Sequence, residues 1–432
     1  MCRVAGRIKH RVAKCVVPGA CVRVRDFDGA RVCWEFRGNV VTHGEHSPRW
    51  RGDHRAGGDR TRIDGRAFVR LDVADNDLTK LRLVDTTEGT ESPVPSQVET
   101  GEPNRLWWII AGELKPGKLR TYRLERGEVA EGTQVEAVET RSHLELKVDE
   151  RTVLRYNTAH VPAPEGMDPR YGRSAHIHPA QTPSGAVVTD EFPPDHPHQS
   201  GLFLANTKTE FEGRTPDFWN LAGGTGRVRF HSIEGTTSGP VFGELRVTHE
   251  HVDLSGPVEM VALLESWTVR VWNAGGPSRG YWICDIATSA RCGGLSPLKL
   301  NDYHYGGMAL RGARSWGIEH GRFMTSEGRD RIAGNHSRPR WCDLFGPVDG
   351  KTAGITFMTH PTNFRFPEPL RIHPTMQYMV YTPAHLGEWR ITPDDVHRAQ
   401  YRFVFHDGEL PVESAERLWE DFAEPLRGVV SR

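Results

Sequence analysis

The sequence predicts a mainly β protein: an antiparallel β-sandwich with a smaller strand-rich piece in front and a short C-terminal helix. Three observations carry that expectation. From Phe68 onward, short runs alternate apolar and polar residues with a period of two. Glycine, proline and aspartate punctuate the runs, as sandwiches and barrels require. Only one segment, near the end, carries a convincing helical period.

Taken in order, residues 1–65 stand apart as a poorly ordered or irregular extension. They are rich in Arg, Gly, His and Cys, as in Arg49-Trp50-Arg51-Gly52-Asp53-His54-Arg55, with at most a short strand near Ala30 to Phe36. Residues 66–155 form an N-terminal β-rich subdomain. Val69, Leu71 and Val73 share one parity there, as do Leu144, Leu146 and Val148, and Leu106-Trp107-Trp108-Ile109-Ile110 lies between them. Residues 156–425 form the sandwich domain, with alternating runs at Leu245 and Val247, at Val261, Leu263, Val269 and Val271, and at Tyr401, Phe403 and Phe405. Val412, Ala415, Trp419 and Phe422 fall on one helical face between Pro411 and Pro425. No internal repeat is evident.

Composition excludes several classes. Lys plus Arg is 55 against 56 Asp plus Glu, which lacks the basic excess that nucleic acid or an anionic membrane demands. No stretch approaches the ~20 apolar residues of a membrane span. The seven cysteines lack C-x-x-C spacing, and Cys284, Cys292 and Cys342 read as buried thiols in a reducing compartment. The basic start is followed by an apolar run broken by Pro18, Gly19 and Arg23, so a signal peptide is not expected and the location reads as cytoplasmic. Dinucleotide-binding, P-loop, nucleophile-elbow and zincin motifs are missing, so no nucleotide cofactor is expected. The sequence leaves the oligomeric state open.

The densest chemistry lies in Arg173-Ser-Ala-His176-Ile-His178-Pro179 and Thr189-Asp190-Glu191-Phe-Pro-Pro-Asp195-His196-Pro-His198-Gln199-Ser-Gly201. Prolines fix the backbone there, and His176 and His178 project from one face of a strand. Such imidazoles can cap turns, can ligate a divalent metal through His176, His178, His196 and His198, or can act as acid and base near neutral pH. Glu265 shares the parity of apolar neighbours, so it is either a paired buried carboxylate or a proton shuttle. His249 and His251 point inward on the same reasoning. Loops around Tyr305, Arg340-Trp341-Cys-Asp343 and His360-Pro-Thr-Asn363 mix cations, rings and carboxylates suited to sugar hydroxyls and pyranose faces.

The run from Tyr171-Gly-Arg173 to His198 and Gly201, with Ser326-Glu-Gly328, Trp341-Cys-Asp343, His360-Pro-Thr-Asn363 and the front segment Pro95-Ser-Gln97-Val98, resembles a bacterial family labelled PmoA. A methane monooxygenase subunit is an integral membrane protein, and no spanning segment is present here. The resemblance implies instead a family of undefined function, often encoded near sugar-active oxidoreductases and related to galactose-mutarotase-like supersandwiches. It implies cleft roles for His178, Asp195, His196, His198, Asp343, His360 and Asn363. This sequence departs from the family pattern at Gln199, where a histidine is frequent, and at His304-Tyr305.

The expected function is proton-transfer chemistry on a sugar or modified glycoside by a lyase, hydratase, epimerase or hydrolase. His196 or His198 serves as base, Glu265 or His178 as acid, and Asp195 orients an imidazole. Arg173, Tyr305, Arg340, Trp341, Asp343, His360 and Asn363 bind the substrate. Two rival readings are a metal-dependent, cupin-like oxygenase and a non-catalytic sugar-binding or sensing protein.

Overall fold

A computed structural model describes residues 21–25, 68–73, 81–89, 91–112, 119–128, 132–427 and 429–431. The expectations for Ala30 to Phe36 and Arg49 to Arg55 lie outside them. The chain is mostly β, with antiparallel sheets and a short C-terminal helix.

Two eight-stranded antiparallel sheets form the sandwich. The first runs Leu370–Ile372, Tyr378–Tyr381, Gly307–Arg311, Leu202–Ala205, His176–Ala180, Arg151–Asn157, His143–Val148, Val135–Glu139. The second runs Gly226–Thr237, Phe242–Asp253, Met260–Gly276, Tyr281–Cys292, His397–Asp407, Lys351–Thr359, Trp341–Val348, Arg322–Thr325. Alternation puts Leu144, Leu146, Ile177, Leu202 and Leu310 on the inner face of the first sheet. They meet Leu245, Val247, Trp267, Val269, Phe403 and Phe405 of the second in one core. Each fully buried large side chain there contributes roughly 1.5–3 kcal/mol.

The period-two reading fails locally at Val261. A bulge breaks the register between His251, paired with Leu263, and Val252, paired with Val261. Parity therefore slips, leaving Val261 half-buried and Ala262 in the core.

The same alternation turns Phe203, Ala309, Arg311, Tyr378 and Val380 of the first sheet outward. A loop carrying Phe218 and Trp219 covers part of this outer face. A short sheet of Thr209–Glu210, Leu298–Leu300 and Trp389–Ile391 stands beside it.

The helix Val412–Ala423 buries Ala415, Leu418 and Phe422 against Val404, Met358 and Trp341 on the outer face of the second sheet. Val412, expected on the apolar face, is exposed; Leu418 takes that role. Beyond the helix, Leu426–Arg427 pairs in parallel with Phe68–Val73, and Val429–Ser431 pairs with Cys21–Arg25. The two front sheets share a core of Leu81, Leu83, Leu106, Trp108, Tyr122 and Leu124. Among the described residues no helix is long and apolar enough to cross a membrane.

Candidate functional site

The loop between Asp190 and Gly201 crosses the outer face of the first sheet. Pro193, Pro194 and Pro197 restrict it. Two successive turns form, the His196 N–H donating to Pro193 O at 3.2 Å and the Gln199 N–H to His196 O at 2.9 Å. An isolated bridge joins Glu191 to Ser200. Gly201 ends the loop at φ 55°, and a Cβ there would lie 1.9 Å from Ile177 O, so only glycine fits.

This loop delivers two imidazoles to a third. The His196 ring lies 5.4 Å from that of His198 and 5.7 Å from that of His373. An aromatic wall continues the line. Trp219 stands 6.5 Å from His198, and Tyr305 is 6.0 Å from both Trp219 and Tyr378. Beneath the loop, the buried Arg311 donates to Gln199 Oε1 at 2.9 Å and to Asp195 Oδ1 at 3.1 Å. Gln199, the departure from the family pattern, is thus an acceptor for a buried guanidinium through its amide oxygen. Arg173 lies under the loop against Phe203 and donates to His198 O at 3.1 Å.

Electrostatics keep these rings unprotonated. Burial holds His198 at about 4, helped by His196 and Arg173. His373 is held at about 4 by burial and by Arg371. His196 is lowered by burial, with Asp195 acting the other way. His373 Nδ1 accepts from the backbone N–H groups of Thr375 and Met376 at 3.3 and 3.2 Å, so the proton of the neutral ring sits on Nε2. Neither ring nitrogen of His198 is bonded to a described residue.

The first histidine pair is engaged elsewhere. His176 Nε2 contacts Glu191 Oε1, and His178 Nδ1 lies 2.9 Å from Thr189 Oγ1. Burial lowers both pKa values. Among the described residues no three His, Cys, Asp or Glu side chains are grouped to hold a metal ion.

Glu265 lies between the two sheets, 1% exposed. His251 Nε2 is 2.8 Å from its Oε2, Trp267 Nε1 donates to Oε1 at 2.9 Å, and His249 Nδ1 is 3.8 Å away. The opposite nitrogen of His249 meets Tyr156 OH at 2.5 Å. Burial disfavours the carboxylate, but the two imidazoles outweigh it and hold Glu265 at about 2. Of the two expectations for Glu265, the structure has the paired buried carboxylate, with His251 and Trp267 as its partners.

Of the residues singled out by sequence, Arg173, Asp195, His196, His198 and Tyr305 come together, with His176 and His178 on the adjoining strand. The others do not join them. Arg340 and Trp341 both donate to Glu416 of the C-terminal helix, at 2.8 and 3.1 Å. Asp343 accepts from Thr356 at 3.0 Å and lies 2.9 Å from His406 Nε2, on the outer face of the second sheet. His360 packs on Phe422. Asn363 bonds the backbone N–H and C=O of Gln400 at 2.8 and 2.9 Å, a role in holding main chain.

Sequence reasoning gave no role to Trp219, Arg311, Arg371, His373 or Tyr378. A signal existed for the two arginines. In Met308-Ala-Leu-Arg311 and Leu370-Arg371-Ile372 a charge alternates with core residues in a strand, which places it on the opposite face.

The model of a family of unknown function, DUF6807, matches residues 143–420. The chain belongs to that family. No curated protein matches, and nothing supports the PmoA label. Among solved structures, this DUF6807 chain is similar to an alpha-mannosidase from Enterococcus faecalis V583, at 9% identity and a TM-score of 0.39, over 87% of this chain and 45% of that one. A heparan sulfate lyase HepC mutant from Pedobacter heparinus follows at 8% identity and a TM-score of 0.28, over 66% and 38%. The chain thus spans less than half of either protein, and likeness at this level carries no chemistry.

Proposed function

We propose that this DUF6807 protein is an enzyme acting on a sugar or modified glycoside by proton transfer, and that the imidazole cluster and aromatic wall on the outer face of the first sheet form its ligand cleft. One observation carries the reading: His196, His198 and His373, brought from distant parts of the chain, meet beside Trp219 and Tyr305. Rings of this kind stack on the apolar face of a pyranose, and neutral imidazoles beside them can accept and return a proton.

The environments assign the roles. His198, with Arg173 beneath it and both ring nitrogens free of described partners, is the base. His196 also rests neutral, burial outweighing the pull of Asp195 beside it, so it serves as the acid after taking up the proton that the base removes. Two groups in unlike surroundings divide the work in this way. Tyr305 binds the ligand, and Arg173, which donates to His198 O from beneath the loop, positions that imidazole. Glu265 contributes to the scaffold through His251 and Trp267 rather than to the cleft.

The test is to incubate the wild-type chain and His198→Asn with a panel of glycosides and oligosaccharides and to follow products by mass spectrometry. Wild type should convert at least one member. The variant should lose roughly 10²–10⁴ of the rate while its melting temperature barely moves. Full activity in the variant would remove His198 from the chemistry. Thermal stabilisation by a sugar with no product would mark a binding protein instead.

A further inference from the structure

Arg371 lies in the cleft without a carboxylate partner among the described residues. Its Nη1 donates to Asn335 Oδ1 and Ile372 O, both at 3.0 Å. Its Nη2 reaches only the Tyr305 hydroxyl, at 3.3 Å, and its Nε–H is buried without a partner. The unfilled edge is therefore Nε with Nη2, two parallel N–H groups on the side of the fork. That edge is matched to the two oxygens of one carboxylate.

Arg173 repeats the pattern. It is 5% exposed, its Nε is also buried without a partner, and its Nη1 donates to a neutral carbonyl, that of His198. Buried arginines away from the cleft are treated differently: Arg402 is paired with Asp285 at 2.7 Å, and Arg270 with Glu99 at 2.6 Å. The acids near the cleft are already engaged. Asp195 serves Arg311, Asp217 accepts from Thr207 and Asn220, and Glu191 serves His176. A buried guanidinium with no carboxylate in contact is costly, and among the described residues Arg173 and Arg371 are in that position, Glu191 acting on Arg173 only from a distance.

We infer that the sugar taken by this cleft is an acidic one, a uronic or related sugar acid, whose carboxylate is received by the Nε–Nη2 edge of Arg371. The inference rests on the sugar reading above and narrows it. The carboxylate displaces Tyr305, whose ring now lies 5.3 Å from the guanidinium and whose hydroxyl meets Nη2, and the freed ring stacks against the sugar. Arg173, one layer deeper, adds to the attraction without touching the ligand.

Calorimetric titration with D-glucuronate, D-galacturonate, D-glucose, D-galactose and glucose 6-phosphate tests it on the full chain. A uronate should bind at least tenfold more tightly than its neutral counterpart. Arg371→Gln should erase that preference, and Arg371→Lys, which keeps the charge but not the planar fork, should restore only part of it. Circular dichroism checks that both variants are folded. Neutral sugars binding as tightly as uronates, or Arg371→Gln keeping the preference, overturns the inference and leaves the sugar reading standing. Tighter binding of glucose 6-phosphate than of either uronate overturns it in favour of a phosphate. Binding of none of the five overturns the inference together with the sugar reading.

Discussion

The low basicity of His198 makes a prediction about stability that needs no substrate. In the unfolded chain this imidazole titrates near 6.5; in the fold, burial together with His196 and Arg173 holds it at about 4. As pH falls, the unfolded state takes the proton first, so protonation favours unfolding. The contribution of neutral His198 is intact above about pH 6.5 and drains away as pH falls toward about 4. Between about pH 7 and about pH 5, this single group should remove about 2 kcal/mol of stability. Urea unfolding at both pH values measures it, comparing wild type with His198→Asn. Other histidines contribute to both proteins and cancel in the difference. The variant should therefore lose about 2 kcal/mol less than wild type across that interval. Equal losses would mean that the ring is hydrated and ordinary, and the picture of a dry, cation-flanked base would fail.

Further outcomes follow from other parts of the fold. Glu265→Ala strands the donors of His251 and Trp267 in the core, each an uncompensated group worth roughly 1–3 kcal/mol, so urea unfolding should show a loss of about 3–5 kcal/mol. Gly201→Ala forces a Cβ against Ile177 O in a left-handed backbone; it should lower stability by about 3 kcal/mol or more, and a melting curve within a degree of wild type would contradict it. For His406, burial opposes protonation, but Asp343 at 2.9 Å prevails and raises its pKa. That pair stabilises fully below the unfolded histidine value and less as pH climbs through the raised one. Asp343→Asn should flatten this alkaline decline in unfolding titrations.

How much of this was legible in the sequence depends on what alternation encodes. Parity along a strand separates core from surface, so Leu144, Leu146, Leu245, Val247, Phe403 and Phe405 were readable as core, and so was the inward turn of Glu265, His249 and His251. Parity does not say which of two sheets an outward residue decorates. Asp343 and His360 therefore looked like partners of His198 while lying on the outer face of the other sheet or beside the helix. Nor does it register a bulge, which is why Val261 misled. The imidazole cluster was half visible. His196 and His198 share one proline-stiffened loop, whereas His373 arrives from a turn after Leu370–Ile372, and only the pairing of that strand with Tyr378–Tyr381 brings it close. Asn363 shows the opposite failure: a motif residue of chemical appearance spends both ends of its amide on the main chain of Gln400.

The return of the chain to its own beginning has a consequence for how the molecule is made. Leu426–Arg427 supplies a neighbour for Phe68–Val73, and Val429–Ser431 one for Cys21–Arg25. During synthesis Phe68–Val73 and Cys21–Arg25 must wait for these neighbours until nearly everything between them has been made, and a strand without its neighbour invites aggregation. Removing residues 426–431 would turn Phe68–Val73 and Cys21–Arg25 into the edge strands of their sheets.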